Sequence, residues 1–332
     1  MPSSAEANSI IGIDIGGTKI ATGLVSREFH VVERAILPTP RDASAERVLE
    51  QIYRSVDAIL QKSNITKSDI TGIGVVAPGP LNPDAGVVIS APNIPAFKDI
   101  PIVEHLQGRF GFPTRLENDA NAAGLAEALF GSGVGHDHVF YTTVSTGIGT
   151  GIIINRRIYH GKNGTAAEGG HVTIDFRGPV CNCGRKGCIE AYASGPALAR
   201  RAKERLAGCE GRSRILDLVD GDLERVTPVE ISRAAEEDDP LAIELISETG
   251  EYLAIWLGGM VSLLDPDIVV IGGGLSLMGE RLFSAIRERL PTYSINPFAK
   301  DVPVVPARLQ RDVGILGAAA LFLEAKTDEV LI

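Results

Sequence analysis

A short apolar run, a glycine-containing turn and a second apolar run occur twice in this chain, about 130 residues apart. Residues 10–15 (IIGIDI) and 20–25 (IATGLV) flank Gly16, Gly17, Thr18 and Lys19, and residues 139–145 (VFYTTVS) and 151–159 (GIIINRRIY) flank Thr146 to Thr150. Recurrence of one unit at that distance predicts two similar halves. Between and after the two units, strand-like and helix-like patterns alternate. A strand is expected at 29–37, a helix over about 42–62, a buried strand at Ile70–Ala77, a helix at 102–110 and a short strand at Thr114–Glu117. Asn118 can cap a helix with the body Ala120–Phe130. Further helices are expected at 195–207, 229–236 and 240–263, a strand at 267–271 and a final apolar helix at 312–325. Such alternation argues for an α/β fold. The 332 residues suit two domains, and with no low-complexity linker the halves are expected to share a cleft.

Composition narrows the function. Aromatic residues are 5% of the chain, so its core must be built from Ala, Val, Ile and Leu. A net charge of −10 with no basic block disfavours nucleic acid as a partner, because that affinity comes mainly from neutralising phosphates. No apolar run approaches the length of a membrane span, and the N-terminus (MPSSAEANS) lacks the basic and apolar regions of a signal peptide. The expected location is the cytoplasm, where the four cysteines would be reduced.

Several segments carry chemistry. Asp14-Ile15-Gly16-Gly17-Thr18-Lys19 suits a phosphate, since glycine lets backbone N–H groups approach an anion while Thr18 and Lys19 add a hydroxyl and a charge. A plain tight hairpin fits the same residues. Gly72-Ile73-Gly74-Val75-Val76-Ala77 matches a dinucleotide fingerprint formally, but Pro78, Gly79 and Pro80 prevent the helix that motif needs, so a buried strand is expected. At the strand-to-helix junction Glu117-Asn118-Asp119-Ala120-Asn121, Asp119 reads either as a helix cap or as a carboxylate that accepts a proton from a substrate hydroxyl, with Asn118 beside it. His171, Cys181, Cys183 and Cys188 have the spacing H-x9-C-x-C-x4-C. Three thiolates and an imidazole complete a tetrahedral structural zinc site with no position for catalytic water; unrelated reduced thiols are the alternative. Cys209, alone at a helical end, reads as a free cysteine. Glu168 and Glu190 bracket the Cys loop, which would fix two carboxylates for polyol recognition, although either alone reads as a surface acid.

Taken in order, these motifs resemble the ROK family (repressors, open reading frames and sugar kinases) along essentially the whole chain. The resemblance rests on DIGGTK at 14–19, APGP at 77–80, ENDANAA at 117–123, STGIGTG at 145–151, EGGH at 168–171, CNCGRKGCIEAYASG at 181–195 and IGGG at 271–274. It implies the actin/hexokinase-like (ribonuclease H-like) duplicated fold, with two α/β domains around a nucleotide and sugar cleft. Residues 1–122 with 312–332 are then the smaller domain, closed by the C-terminal helix, and 123–311 the larger one, carrying the zinc loop.

The resemblance also implies roles. Asp119 matches the catalytic base for the sugar's 6-hydroxyl; Gly79, Asn93, Asn118, Glu168, His171 and Glu190 match sugar-binding positions. Asp14, near Mg²⁺, with Gly16, Gly17, Thr18 and Lys19, and Thr146, Gly147 and Gly149 in the second turn, match phosphate contacts. Gly272, Gly273 and Gly274 match the nucleotide end. ATP, Mg²⁺ and structural Zn²⁺ are the expected cofactors, a sugar is the small-molecule partner, and a homodimer or homotetramer is the expected assembly. Family repressors carry an N-terminal helix-turn-helix, for which a first strand at Ile10 leaves no room. The expectation is therefore an ATP-dependent hexose kinase acting on glucose. N-acetylmannosamine or N-acetylglucosamine is the alternative substrate, and a non-catalytic sugar sensor the remote alternative. Pro80, where the similar N-acetylmannosamine kinase has Arg, tilts the reading toward glucose.

Overall fold

The computed structural model describes residues 9–323 apart from 42, 64 and 209–212. Cys209 therefore lies outside the described residues. Contacts divide the chain into two compact units: Met1–Asp137 with Gly151–Ala167 and Arg308–Ile332, and His138–Thr150 with Glu168–Ala307.

In the first unit, β1 (Ser9–Ile15), β2 (Lys19–Val25) and β3 (Val31–Pro38) form consecutive antiparallel hairpins. After α1 (Ala45–Lys62), β4 (Ile70–Ala77) pairs parallel to β1. Helix α1 is amphipathic: Val48, Leu49, Ile52, Val56 and Ile59 recur at helical spacing and join the core over the sheet. A small three-stranded sheet follows that the sequence reading did not resolve: β5 (Leu81–Asn82), β6 (Val87–Ala91) and β7 (Ile94–Ile100). These strands are short and interrupted by polar residues, so they carry little periodic signal. Helix α2 (Ile102–Phe110) leads to β8 (Thr114–Asn118), parallel to β4, and then α3 (Asp119–Phe130). The sheet order is β3-β2-β1-β4-β8.

In the second unit β9 (Val139–Val144) is followed by β10 (Ile148–Ile154), which runs into the first unit at Thr150/Gly151. A single strand over 151–159 is not what forms. Asn155 and Arg156 both take positive φ (51° and 61°), so the chain turns there and β11 (Arg157–Ile158) pairs back on β10. Four helices lead to the 25-residue α8 (Pro240–Leu264): α4 (Glu190–Ala193), α5 (Gly195–Ala207), α6 (Arg214–Leu218) and α7 (Pro228–Glu236). Strand β12 (Ile268–Gly272), helix α9 (Glu280–Arg289) and strand β13 (Val304–Pro306) complete the unit. This sheet has the order β11-β10-β9-β12-β13, strand for strand the pattern of the first, as the repeated hairpin predicted.

The last helix, α10 (Val313–Ala320), is shorter than the expected 312–325; residues 321–323 form a turn and those beyond lie outside the described residues. It is buried nearly all round, because it lies directly on β1 and β4. Glycine permits that approach: a Cβ at Gly12 would collide with Ile315 O, and one at Gly74 with Ala318 O. The glycines of the 72–77 segment thus serve helix-on-sheet packing. Phe130, at the end of α3, stacks on Phe29 with ring centroids 3.5 Å apart, and Ala122 lies against Gly317 of α10. All of α3 therefore belongs to the first unit, whose boundary falls at Asp137/His138 instead of the expected 122/123. No helix among the described residues is long and apolar enough to cross a membrane.

Candidate functional site

Asp14 stands near the end of β1, just before the first glycine turn. That turn is a tight hairpin held by Gly16 N–H donating to Lys19 O (2.9 Å), Thr39 N–H to Thr18 O (3.0 Å) and Thr39 Oγ1 to Gly16 O (2.7 Å). With the backbone clamped, Thr18 and Lys19 remain exposed. Burial, then the negative charge of Asp119, push Asp14 up to about 6, against the opposing pull of Lys19. Space is kept beside it by Gly314 in α10, where a Cβ would collide with Asp14 Oδ2. A half-buried carboxylate facing a second carboxylate is an oxygen-donor arrangement that suits a hard divalent cation. Asn93 lies against this turn as well: a Cβ at Gly17 would stand 2.5 Å from Asn93 Cβ.

At the β8–α3 junction the helix cap falls on Asn118 and not on Asp119. Asn118 is the cap, with extended φ/ψ (−67°, 142°), its Oδ1 accepting from Ala120 N–H (2.9 Å) and Asn121 N–H (3.3 Å). Asp119 is the first helical residue and exposed, with Oδ1 accepting from Ala120 N–H at 2.8 Å. Gly79 adjoins this junction, since a Cβ there would lie 3.5 Å from Asn118 Nδ2. The first unit therefore joins Asp14 to Asp119, Gly79 to Asn118, and Gly17 to Asn93. It also adds two residues the sequence reading gave no role. Glu117 is buried, and its Oε2 lies 2.6 Å from Nε2 of His160, 43 residues away in the chain. Glu117 stood inside a quoted motif; for His160 the sequence carried no signal.

In the second unit, His171, Cys181, Cys183 and Cys188 converge with all four ligand atoms within 4.8 Å of one another. The loop folds through Cys181 N–H to Arg185 O (2.7 Å) and Gly184 N–H to Cys181 O (2.9 Å). Gly187, at φ 73°, is packed so closely on Asp175 O that a side chain would collide. Cys181 Sγ lies 3.6 Å from His171 Nδ1, and Cys183 Sγ 3.6 Å from Cys188 Sγ. A tetrahedral zinc with bonds of ~2.3 Å sets sulfurs ~3.7 Å apart, so the donor set fits that ion. The Arg185 N–H beside Cys183 holds its thiol down at about 7, which favours a thiolate, while burial pushes Cys181 up to about 12.

Glu190, at the start of α4, connects this cluster to the second glycine turn. Its Oε2 accepts from Ile148 N–H (3.0 Å), and a Cβ at Gly147 would lie 2.6 Å from the same oxygen. Its Oε1 is 3.5 Å from Cys181 Sγ and 4.0 Å from His171 Nδ1. Glu168 is exposed, and its carbonyl accepts from His171 N–H (3.1 Å) at the 3-10 turn Gly169–His171. Gly149 lies within β10, its carbonyl accepting from Thr142 Oγ1 (3.1 Å).

A cavity of about 610 Å³ opens beside Thr146 and Gly274, with walls that include Ala199, Val226, Pro228, Leu275 and Met278. Its size and largely apolar lining suit a flat heterocycle. Gly273 takes φ 83° at the end of β12, where a Cβ would stand 2.5 Å from Val144 O. Gly272 is buried against Tyr141 and Ala307 and does not line the cavity. These walls come from separate helices and loops with no motif spacing, so of the expected site residues only Thr146 and Gly274 line the cavity.

Residues 10–325 match the ROK family. Glucokinase from Thermotoga maritima is 36% identical over 316 residues, covering 95% of this chain and 97% of that protein. N-acetylmannosamine kinase from Salmonella heidelberg is 32% identical over 311 residues, covering 94% and 97%. A ROK family glucokinase from Streptomyces griseus, solved in complex with glucose and AMPPNP, is 36% identical with a TM-score of 0.80, covering 94% of this chain and 98% of that one.

Proposed function

Because the chain belongs to the ROK family, we propose that it is an ATP-dependent hexose kinase that phosphorylates the 6-hydroxyl of glucose. Its fold is the actin/hexokinase-like one, a duplicated α/β architecture. The observation that carries the reading is the β8–α3 junction, where an exposed carboxylate, Asp119, is presented on a capped helix start next to a second carboxylate, Asp14, and the first glycine turn. The similarity to a kinase solved with both glucose and a nucleotide analogue supports the same pair of ligands here.

Asp119 would take the proton of the 6-hydroxyl as that oxygen attacks the γ-phosphorus and the bond to the β-phosphate oxygen breaks. Asn118, Gly79, Asn93, Glu168, His171 and Glu190 would hold the sugar hydroxyls. The first turn (Gly16, Gly17, Thr18, Lys19) and the second (Thr146, Gly147, Gly149) offer N–H groups and polar side chains to phosphate, and the cavity beside Gly274 accepts the base. Asp14 would hold Mg²⁺, which when bound offsets charge on the phosphates. His171, Cys181, Cys183 and Cys188 would hold Zn²⁺, which supplies local folding and no chemistry to the reaction, since four protein donors complete its tetrahedron. The similarity to N-acetylmannosamine kinases makes that sugar the competing substrate, and Pro80 supports glucose. Cytoplasmic residence and a homodimeric or homotetrameric assembly belong to the same proposal. A coupled assay of ADP release tests the function: turnover with glucose and Mg-ATP is expected, and its absence with every hexose would overturn the reading.

A further inference from the structure

Glu117 is 3% exposed, in β8 two residues before Asp119. A carboxylate so removed from water requires hydrogen bonds and a compensating group. Its Oε1 accepts from Asn118 N–H (2.8 Å) and from Asn121 Nδ2 (3.1 Å). The donors are the helix cap and a residue of the first turn of α3, one residue before Asp119 and two after it. Its Oε2 meets His160 Nε2 at 2.6 Å, a close hydrogen-bond contact. His160 comes from the segment after β11, where its carbonyl accepts from Ala166 N–H (3.1 Å), so the imidazole is carried on a closed loop rather than a free strand end. One buried carboxylate is therefore held from behind by His160 and itself holds the backbone and side chain on either side of Asp119.

We propose that His160 is a positioning residue for phosphoryl transfer: by holding Glu117 it fixes the Asn118–Asp119 turn and so aims the carboxylate of Asp119. The proposal rests on the reading of Asp119 as the base. Without the imidazole, the Oε2 side of Glu117 loses a close partner and the side chain is freer to turn, which loosens its grip on Asn118 and Asn121. The reacting groups are sensitive to such shifts, because a misplacement of ~1 Å costs up to ~10²-fold in rate.

Four variants test this in the full chain with glucose and Mg-ATP: His160→Ala, His160→Asn, His160→Gln and Asp119→Asn. Kinetics are read beside AMPPNP and glucose affinities and thermal unfolding. His160→Ala and His160→Asn, which cannot reach Glu117, are expected to lower kcat by ~10–10²-fold, with AMPPNP affinity nearly unchanged and only a smaller loss of glucose affinity through Asn118. His160→Gln, whose longer amide can donate to Glu117, is expected to restore most of kcat. Should His160→Ala fail to fold, the Asn and Gln pair carries the comparison, since both are polar and differ in reach. Unchanged kcat in His160→Asn overturns the proposal. So does a loss of melting temperature with normal turnover per folded molecule, or a failure of Gln to exceed Asn. Near-normal kcat in Asp119→Asn would instead overturn the underlying assignment of the base.

Discussion

Asp119 sits on the first turn of a capped helix with its Oδ1 on Ala120 N–H, and its usefulness as a phosphoryl-transfer base depends on orientation more than on basicity. Removing it by Asp119→Ala is expected to lower kcat by at least ~10²-fold while sugar binding, measured calorimetrically, persists through the neighbouring groups. Asp14 poses a different case. Burial and Asp119 push it up to about 6, so the folded chain disfavours its ionised form and pays a stability cost once pH rises through that value. Asp14→Asn should therefore raise the melting temperature of metal-free protein at pH ~7.5, with a gain that shrinks as pH falls toward ~5 and Asp14 becomes protonated. Turnover should fall in the same variant. An unchanged or lower melting temperature at neutral pH would show that Asp14 is not held against its preference.

The Cys loop is an element whose folding and ligand placement are linked. Glu190 has one oxygen beside Cys181 and His171 and the other on Ile148 N–H, so the loop and the second glycine turn share a carboxylate. Cys183→Ser should purify with less than one zinc per chain by elemental analysis and bind glucose poorly, because metal binding is coupled to folding of this segment. The shared carboxylate adds that AMPPNP affinity should weaken too; unchanged nucleotide affinity in the zinc-depleted variant would sever that link. For the first unit, the close approach of α10 to β4 gives a stability prediction. Gly74→Ala would drive a methyl group into Ala318 O, and overpacking of this kind costs about 1–3 kcal/mol or more, read as a lowered melting temperature.

Over the whole molecule, the remaining choice is between sugars. A small difference in room at the sugar's 2-position discriminates by only ~10–200-fold in kcat/KM, so glucose is expected to win against N-acetylmannosamine while mannose or glucosamine retain some activity. Competition assays favouring an N-acetylated sugar would reverse the assignment. Sedimentation at several concentrations would report a homodimer or homotetramer if the assembly is as proposed.

The elements legible in the sequence are those whose signal is local. Strand β4, helix α2 and helix α5 fall where apolar spacing and Pro78 place them, and the repeated hairpin foretells two sheets of the same order. The Cys and His spacing likewise foretold a convergent donor set, because a loop of this length can close only on itself. Where the chain meets itself at long range, periodicity is silent. Nothing local says that Gly12 and Gly74 are empty to admit α10, that β10 turns at Asn155, or that the walls around Met278 close on a cavity. The contact of His160 with Glu117 and that of Glu190 with Ile148 are of the same kind. Sequence determines which residues carry chemistry through their type and spacing; only tertiary structure decides which buried charge is answered by which partner, since burial and distance are properties of the packed chain.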